Sequence, residues 1–356
     1  MIFKQTVPTM RGRCEVRIAE EPYTSLAHDL VGHLGRPTKA CILFGKSASP
    51  QLKETVRRAL VDAQFSVVAH ELCDANFFKV LSQEHMTQDD ALVGIGGEDT
   101  AALLSFYAEH WCSGITAAHV ATSLASCISA AVYPKRLTPE SGAYPTITVN
   151  PALHFVVAAF NALQPQKTED ALLARAYMVK ASMLDSKNAV DELIRHAQAL
   201  ATGKTDAAIE EALNAITYFG RIYNSSSLAL RRSITYGDEF ASALKVVSPD
   251  TPYGVALAEG MRFSARLAVT ELGCDVSFVT QQDALLEALG LHEVLGSFES
   301  SKMEEALLSG LYARNRRLVV ALPFGVGHMR LLPISKEVLI EHVRAWCMSK
   351  REEVIS

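Results

Sequence analysis

The chain has 356 residues, with 34 lysines and arginines against 39 aspartates and glutamates, and a formal net charge of −5. At 49% hydrophobic and 21% charged it is globular in composition, and its length suits about two domains with a sizeable core. The mild acidity excludes a general nucleic-acid binder, which needs a basic face, and no charge block or low-complexity tract marks a tail. The opening Met1-Ile2-Phe3-Lys4-Gln5-Thr6-Val7-Pro8 lacks the continuous apolar core of a signal peptide. The weakly charged run from Gly114 to Val132 holds Thr116, His119, Thr122, Ser123, Ser126 and Ser129, too many polar groups for a membrane span. It reads as a buried segment. Seven scattered cysteines without a CxxC pair fit reduced thiols and a cytoplasmic location, and give no zinc-ribbon signal.

The first 35 residues carry alternating stretches such as Cys14-Glu15-Val16-Arg17-Ile18, which predict an edge hairpin. A strand–helix alternation follows. Lys39 to Phe44 reads as a buried parallel strand closed by Gly45, and Pro50 to Ala63 as a helix with Leu52, Val56, Ala59 and Leu60 on one face. Further strands are predicted over Phe65 to His70, Asp90 to Ile95 and Gly114 to Val120, with a helix running from Gly97 to His110. This spacing predicts an α/β domain, a parallel sheet covered on both faces. From Thr168 onward helical periodicity dominates, with one late strand at Arg317 to Pro323, followed by Gly325 and Gly327. The expected organisation is an α/β domain over residues 1–155 and a mainly helical one over 156–356, the boundary falling near Thr148–Pro165. A cleft between two such domains is the default place for a ligand.

Gly96-Gly97 ends a predicted strand and opens a helix. Backbone without a Cβ lets a phosphate approach there, and the helix start offers free N–H groups and a positive dipole end. A tight structural turn explains the same glycines. The next strand ends in Thr122-Ser123, whose hydroxyls share that sheet edge, and the two strand ends together form a nucleotide-site pattern. Other candidates are thinner. The histidines include no HxxxH or HxH pair, and His328 reads as a surface loop residue. Asp238-Glu239 with Glu259 would make an oxygen-rich Mg²⁺-type cluster if their helices faced each other; solvated helix carboxylates are the plainer reading. Cys112 and Cys127 read as buried small hydrophobes with no partner histidine.

Gly94-Ile95-Gly96-Gly97, then Thr122-Ser123-Leu124 and a Ser/Ala-rich helix leading to Lys135, resembles the core of the 3-dehydroquinate synthases and related sugar-phosphate cyclases. Ala176-Tyr177-Met178-Val179-Lys180 is similar to that family's Ala-Glu-Val-Ile-Lys helix. Arg231 to Phe240 resembles its Arg…Leu-Asn-Phe-Gly-His-Thr-Phe segment, and Pro252 to Met261 its Leu-His-Gly-Glu-Ala-Val-Ala-Ile-Gly-Met. Order and spacing agree over residues 35–335. The resemblance implies a dehydroquinate synthase-like fold, NAD at the glycine turn, and a divalent metal held by one carboxylate and two histidines in the helical domain. Its members transiently oxidise a phosphorylated sugar, eliminate phosphate and close a carbocycle.

Carried over residue by residue, the metal-binding Glu falls on Tyr177 and the two His ligands on Asp238 and Tyr253. A catalytic His becomes Ser242, the Asp after the glycine turn becomes Ala102, and the Gly-Gly-Lys turn becomes Tyr133-Pro134-Lys135. The Gly-Lys-Asn phosphate loop shrinks to the neighbourhood of Ser141-Gly142-Ala143. One carboxylate cannot hold a catalytic zinc, which wants about three protein ligands, so no metal is expected at this position. The basic positions persist: Lys79 joins Gly96, Gly97, Thr122 and Ser123 as cofactor-binding candidates, and Lys135, Lys180 and Arg231 are the candidates for the reaction site, converging on an anion. The expected ligands are NAD and a small phosphorylated polyol or other anion, in a homodimer without nucleic-acid or membrane partners. Three readings stay open: a divergent cyclase with altered metal use, a pseudoenzyme that binds a nucleotide or a partner, and an NAD-linked polyol dehydrogenase of the same superfamily.

Overall fold

The computed structural model describes residues 2–9, 12–72, 77–137, 147–163, 168–313 and 316–352, so Ser141-Gly142-Ala143 lies outside the described residues. The chain divides into two compact units, one of Met1–Leu137 with Thr148–Gln166, the other of Thr138–Ile147 with Lys167–Ser356.

In the first unit, β1 (Ile2–Thr9) and β2 (Gly12–Ala19) form the expected antiparallel hairpin. Then come α1 (Tyr23–Leu34), β3 (Lys39–Phe44), α2 (Pro50–Asp62), β4 (Ser66–Glu71), α3 (Phe77–Gln83), β5 (Ala91–Gly96), α4 (Glu98–His110), β6 (Thr116–Ala121) and α5 (Leu124–Val132). β7 (Lys135–Leu137) and β8 (Ile147–Val149) make a separate two-stranded sheet, and β9 (Phe155–Ala159) leads into the short α6 (Phe160–Leu163). The main sheet has seven strands in the order β1-β2-β9-β6-β5-β3-β4, parallel except at the β1–β2 edge. β9 is a central strand, and the first unit therefore continues past residue 155. Its run Phe155-Val156-Val157-Ala158-Ala159 is too short for periodicity to separate strand from helix.

Alternation assigns each face of the sheet its cover. Ile42, Val93, Ile95, Val120 and Val157 pack with Leu26 and Leu30 of α1 and with Val56 and Leu60 of α2. Gly94 points the other way. A Cβ there would lie 2.7 Å from Leu104 Cδ2, so the glycine is what lets α4 press on β5. β6 and α5 are buried throughout, as the weakly charged run from Gly114 predicted.

The second unit holds α7 (Thr168–Asp185), α8 (Lys187–Ala201), α9 (Thr205–Tyr223), α10 (Leu228–Ser233), α11 (Asp238–Val247), α12 (Tyr253–Leu272), α13 (Val276–Ala288), α14 (Ser300–Tyr312) and α15 (Lys336–Glu352). The late strand is present as β10 (Val319–Gly325), and it pairs antiparallel with β11 (His328–Pro333), a partner whose His-Met-Arg-Leu-Leu-Pro sequence carries no β-branched signal. Gly237 sits at φ +82° before α11, and a Cβ on Gly260 of α12 would lie 2.0 Å from its carbonyl oxygen. Two glycines thus let α11 and α12 meet backbone to backbone. Among the described residues no helix is long and apolar enough to cross a membrane.

Candidate functional site

The chain runs from β3 outward to β4, then returns to the other side of β3 as β5. This reversal opens a crevice at the carboxyl ends of β3 and β5, the place where doubly wound sheets bind ligands. Two loops meet there. The Gly45 N–H donates to Ile95 O at 2.9 Å, and the Thr122 N–H donates to Gly96 O at 3.1 Å. Gly96 ends β5, and Gly97 is the extended residue that precedes α4. The glycines differ in role. A Cβ on Gly96 would lie 2.3 Å from Thr100 Oγ1, whereas one on Gly97 would meet only Ser47 Oγ, at 3.7 Å. Gly96 is therefore needed for packing, while Gly97 leaves backbone open to the crevice.

Hydroxyls frame that opening. Ser47 Oγ and Thr122 Oγ1 are 3.0 Å apart, joining the loop after β3 to the end of β6. Both line a cavity of about 680 Å³, along with Glu20, Glu21, Arg58 and Asp62. Ser123 serves the fold instead: its side chain caps α5, accepting from Ser126 N at 3.1 Å. Beneath the turn, Ser126 Oγ donates to Gly96 O at 3.1 Å and lies 2.9 Å from His119 Nε2. The hydroxyl proton goes to the carbonyl, so His119 must donate through Nε2. Full burial pushes the His119 imidazole down to about 3, and it stays neutral.

The α4 start is acidic as well as open, with Glu98 and Asp99 in its first turn. Lys135 answers this charge by pairing its ammonium with the Glu98 carboxylate. Lys79, expected near the nucleotide, is exposed on α3. Gly96, Gly97 and Thr122 are thus brought together, with Lys135 one residue from the turn through Glu98.

In the helical unit Lys180, on α7, is fully buried, and its Nζ donates to Asp238 Oδ1 at 2.8 Å. Tyr177, one turn earlier on α7, is also fully buried, edge-on to Phe219 at 6.3 Å. Tyr253 begins α12 and is half-buried. Ser242 Oγ donates back to Asp238 O at 2.8 Å. Arg231 reaches elsewhere, its Nη1 donating to Ser225 O at 3.3 Å. Lys180 and Arg231 therefore engage different partners.

These residues do not suit a divalent metal. The one carboxylate is already bonded to an ammonium, and phenols must lose a proton near pKa 10 to ligate. Among the described residues no group of three or more His, Cys, Asp or Glu could hold a metal. The oxygen-rich cluster considered for Asp238, Glu239 and Glu259 does not form. Glu259 Oε1 accepts from Arg262 Nη1 at 3.2 Å and Val294 N at 3.1 Å, and its Oε2 from Trp346 Nε1 at 2.9 Å. Lys350 Nζ is 3.3 Å from the same oxygen. His328 is exposed, as expected, but it opens strand β11 rather than lying in a loop. Cys127 is buried and its thiol pushed up to about 12, but Cys112 is exposed, on a turn with φ 49° rather than in the core. Its neighbours Ser113 and Gly114 also take positive φ, a turn that periodicity does not reveal.

Ser47, Glu98 and His119 escaped the sequence reading. Ser47 lies in Gly45-Lys46-Ser47-Ala48-Ser49, directly after the first parallel strand, a position the switch-point rule would have flagged.

A seven-stranded, largely parallel sheet followed by a helical unit defines the class, the dehydroquinate synthase-like fold. The chain is 15% identical to 2-deoxy-scyllo-inosose synthase, whose structure is complexed with carbaglucose-6-phosphate, NAD⁺ and Co²⁺. That match has a TM-score of 0.78 and covers 96% of this chain and 100% of that one. It is 14% identical to 2-epi-5-epi-valiolone synthase from Streptomyces hygroscopicus subsp. jinggangensis, solved with NAD⁺ and Zn²⁺ bound, with a TM-score of 0.75 over 93% of this chain and 96% of the other. An iron-containing alcohol dehydrogenase shares the fold at a TM-score of 0.64 and 14% identity, over 96% of this chain and 98% of that one. In sequence the chain is 24% identical to 3-dehydroquinate synthase of Paenarthrobacter aurescens, over 75% of this chain and 77% of the relative. The resemblance to 3-dehydroquinate synthases and sugar-phosphate cyclases is thereby borne out. No family model matches the chain.

Proposed function

We propose that this chain is a pseudoenzyme of the sugar-phosphate cyclase fold, which takes a nicotinamide dinucleotide at its glycine turn and does not perform metal-dependent cyclisation. The observation that carries this reading is the Lys180–Asp238 ion pair, buried where the resembled family has a metal ligand. Without a Lewis acid on the hydroxyl to be oxidised, and with Ser242 in place of a catalytic histidine, neither hydride nor proton transfer is supported.

Binding has better support. The open backbone at Gly97, the N–H groups of α4 and the Ser47–Thr122 hydroxyl pair suit a diphosphate, and the neighbouring cavity has room for a ribosyl group. A bound nicotinamide would supply hydride chemistry, and the Gly97 backbone with the Ser47 and Thr122 hydroxyls would hold and orient the dinucleotide. Calorimetric titration with NAD⁺, NADP⁺ and ADP, metal analysis, and an orthophosphate-release assay on phosphorylated sugars test the reading together. The expected result is nucleotide binding without stoichiometric metal and without phosphate release. Release above the blank overturns the pseudoenzyme reading, and no binding of any nucleotide overturns the cofactor reading.

A further inference from the structure

We infer that His119 is a positioning residue for the dinucleotide: acting through Ser126, it fixes the Gly96–Gly97 peptide so that the Gly97 N–H faces the crevice where a phosphate would bind. The inference rests on the nucleotide-binding reading above and deepens it, because it names the residues beneath the turn that set the affinity of the turn itself.

The peptide plane is held from one side. Gly96 O accepts from the Thr122 N–H and from Ser126 Oγ, each at 3.1 Å, and both donors follow β6 in the chain. The peptide is trans, and in a trans peptide the N–H points opposite to the carbonyl that precedes it. β5 lies between β6 and β3, so the Gly97 N–H is turned from β6 toward the β3 side, where the crevice opens and Ser47 stands. Rotating that plane would withdraw the donor.

His119 decides where the serine hydroxyl points. A helical serine can turn its hydroxyl back to a carbonyl three or four residues earlier. His119 Nε2, 2.9 Å from Ser126 Oγ, donates to the oxygen and leaves the hydroxyl proton for Gly96 O. Both side chains are fully inaccessible. The same tautomer leaves Nδ1 without a proton, and that nitrogen has no hydrogen-bond partner among the described residues. It stands over Gly94 beside Leu104, a setting that suits an apolar side chain. A buried ring nitrogen left unpartnered is a standing cost, so packing alone does not account for an imidazole here. What the imidazole adds over a leucine is the bond from Nε2.

The test measures NAD⁺ binding by calorimetry, and thermal unfolding at pH 7.5, in wild type, His119→Leu, His119→Gln, Ser126→Ala and the double variant His119→Leu/Ser126→Ala. His119→Leu fills the space without a donor and should unfold within roughly 3 °C of wild type, yet bind NAD⁺ about tenfold more weakly. His119→Gln, whose amide nitrogen can reach the serine oxygen, should bind within about twofold of wild type. Ser126→Ala should lose about as much affinity as His119→Leu, and the double variant no more than either, because each change disables the same device. If His119→Leu does not fold, weak binding by Ser126→Ala with restored binding by His119→Gln supports the inference. Wild-type affinity in His119→Leu or Ser126→Ala overturns the inference and leaves the nucleotide reading standing. Losses that add in the double variant, that follow a fall in unfolding temperature, or that His119→Gln does not repair do the same. No nucleotide binding by wild type overturns both.

Discussion

Lys135 and Glu98 form an ion pair that ties β7 to the first turn of α4. Glu98 is an internal anion beside the backbone that would receive a diphosphate, and it holds the lysine best placed to meet one. A nucleotide must therefore compete with it. Glu98→Gln should tighten NAD⁺ binding about fivefold, roughly 1 kcal/mol, and Lys135→Met should weaken it, both read by calorimetry. Equal affinities in wild type and Glu98→Gln would place the phosphates away from this turn.

The two glycines should separate stability from binding. Gly96→Ala drives a methyl group into Thr100 and should cost about 1–3 kcal/mol in urea unfolding. Gly97 has φ −84° and open space at its Cβ, so Gly97→Val should fold with stability within about 0.5 kcal/mol of wild type. It should nevertheless lose the thermal shift produced by NAD⁺. A retained shift in Gly97→Val excludes close backbone approach.

Burial holds His119 near 3 and His154 near 4, both below the ordinary histidine range. Their folded forms resist protonation, so the unfolded chain binds more protons below about pH 6.5. Stability is complete above that pH and falls as pH drops from about 6.5 toward 4. The slope contributed by each histidine approaches about 1.4 kcal/mol per pH unit. Urea midpoints between pH 7.5 and 5 should show the fall, and His119→Asn should flatten it. An unchanged slope in that variant removes His119 as a contributor.

Glu259 anchors the last helix. It accepts from Trp346 and approaches Lys350, both on α15, and also binds Arg262 and the Val294 amide. Glu259→Gln leaves Lys350 paired with Glu293 and Arg262 with Glu287, but weakens four buried contacts to one carboxylate, so a loss of about 1–3 kcal/mol is expected. Trp346 fluorescence should shift to the red as α15 loosens; an unshifted spectrum at wild-type stability would show that the helix is held by packing alone.

Much of the fold was legible because buried parallel strands such as Lys39–Phe44 and Ala91–Gly96 are apolar runs closed by glycine. β9 was not, since five apolar residues carry too few periods, nor was β11, paired through backbone rather than side-chain preference. The glycine turn was legible as local chemistry. The Lys180–Asp238 bond was not, because spacing along one chain does not reveal which residues of two helices will face each other. The same limit hid the pairing of Lys135 with Glu98.

β2 pairs with β9 through its carboxyl-terminal part, register running from Glu15 opposite Phe155 to Ala19 opposite Ala159. On a ribosome, the amino-terminal hairpin therefore waits for a strand synthesised long after it, while β3, β4 and β5 can already associate. The sheet closes from its far edge inward, and its last seam is its longest loop closure. Until that seam forms, Cys14, Val16 and Ile18, all inaccessible in the finished sheet, stay exposed on the nascent chain. The hairpin is thus the segment of this unit most in need of chaperone protection during synthesis.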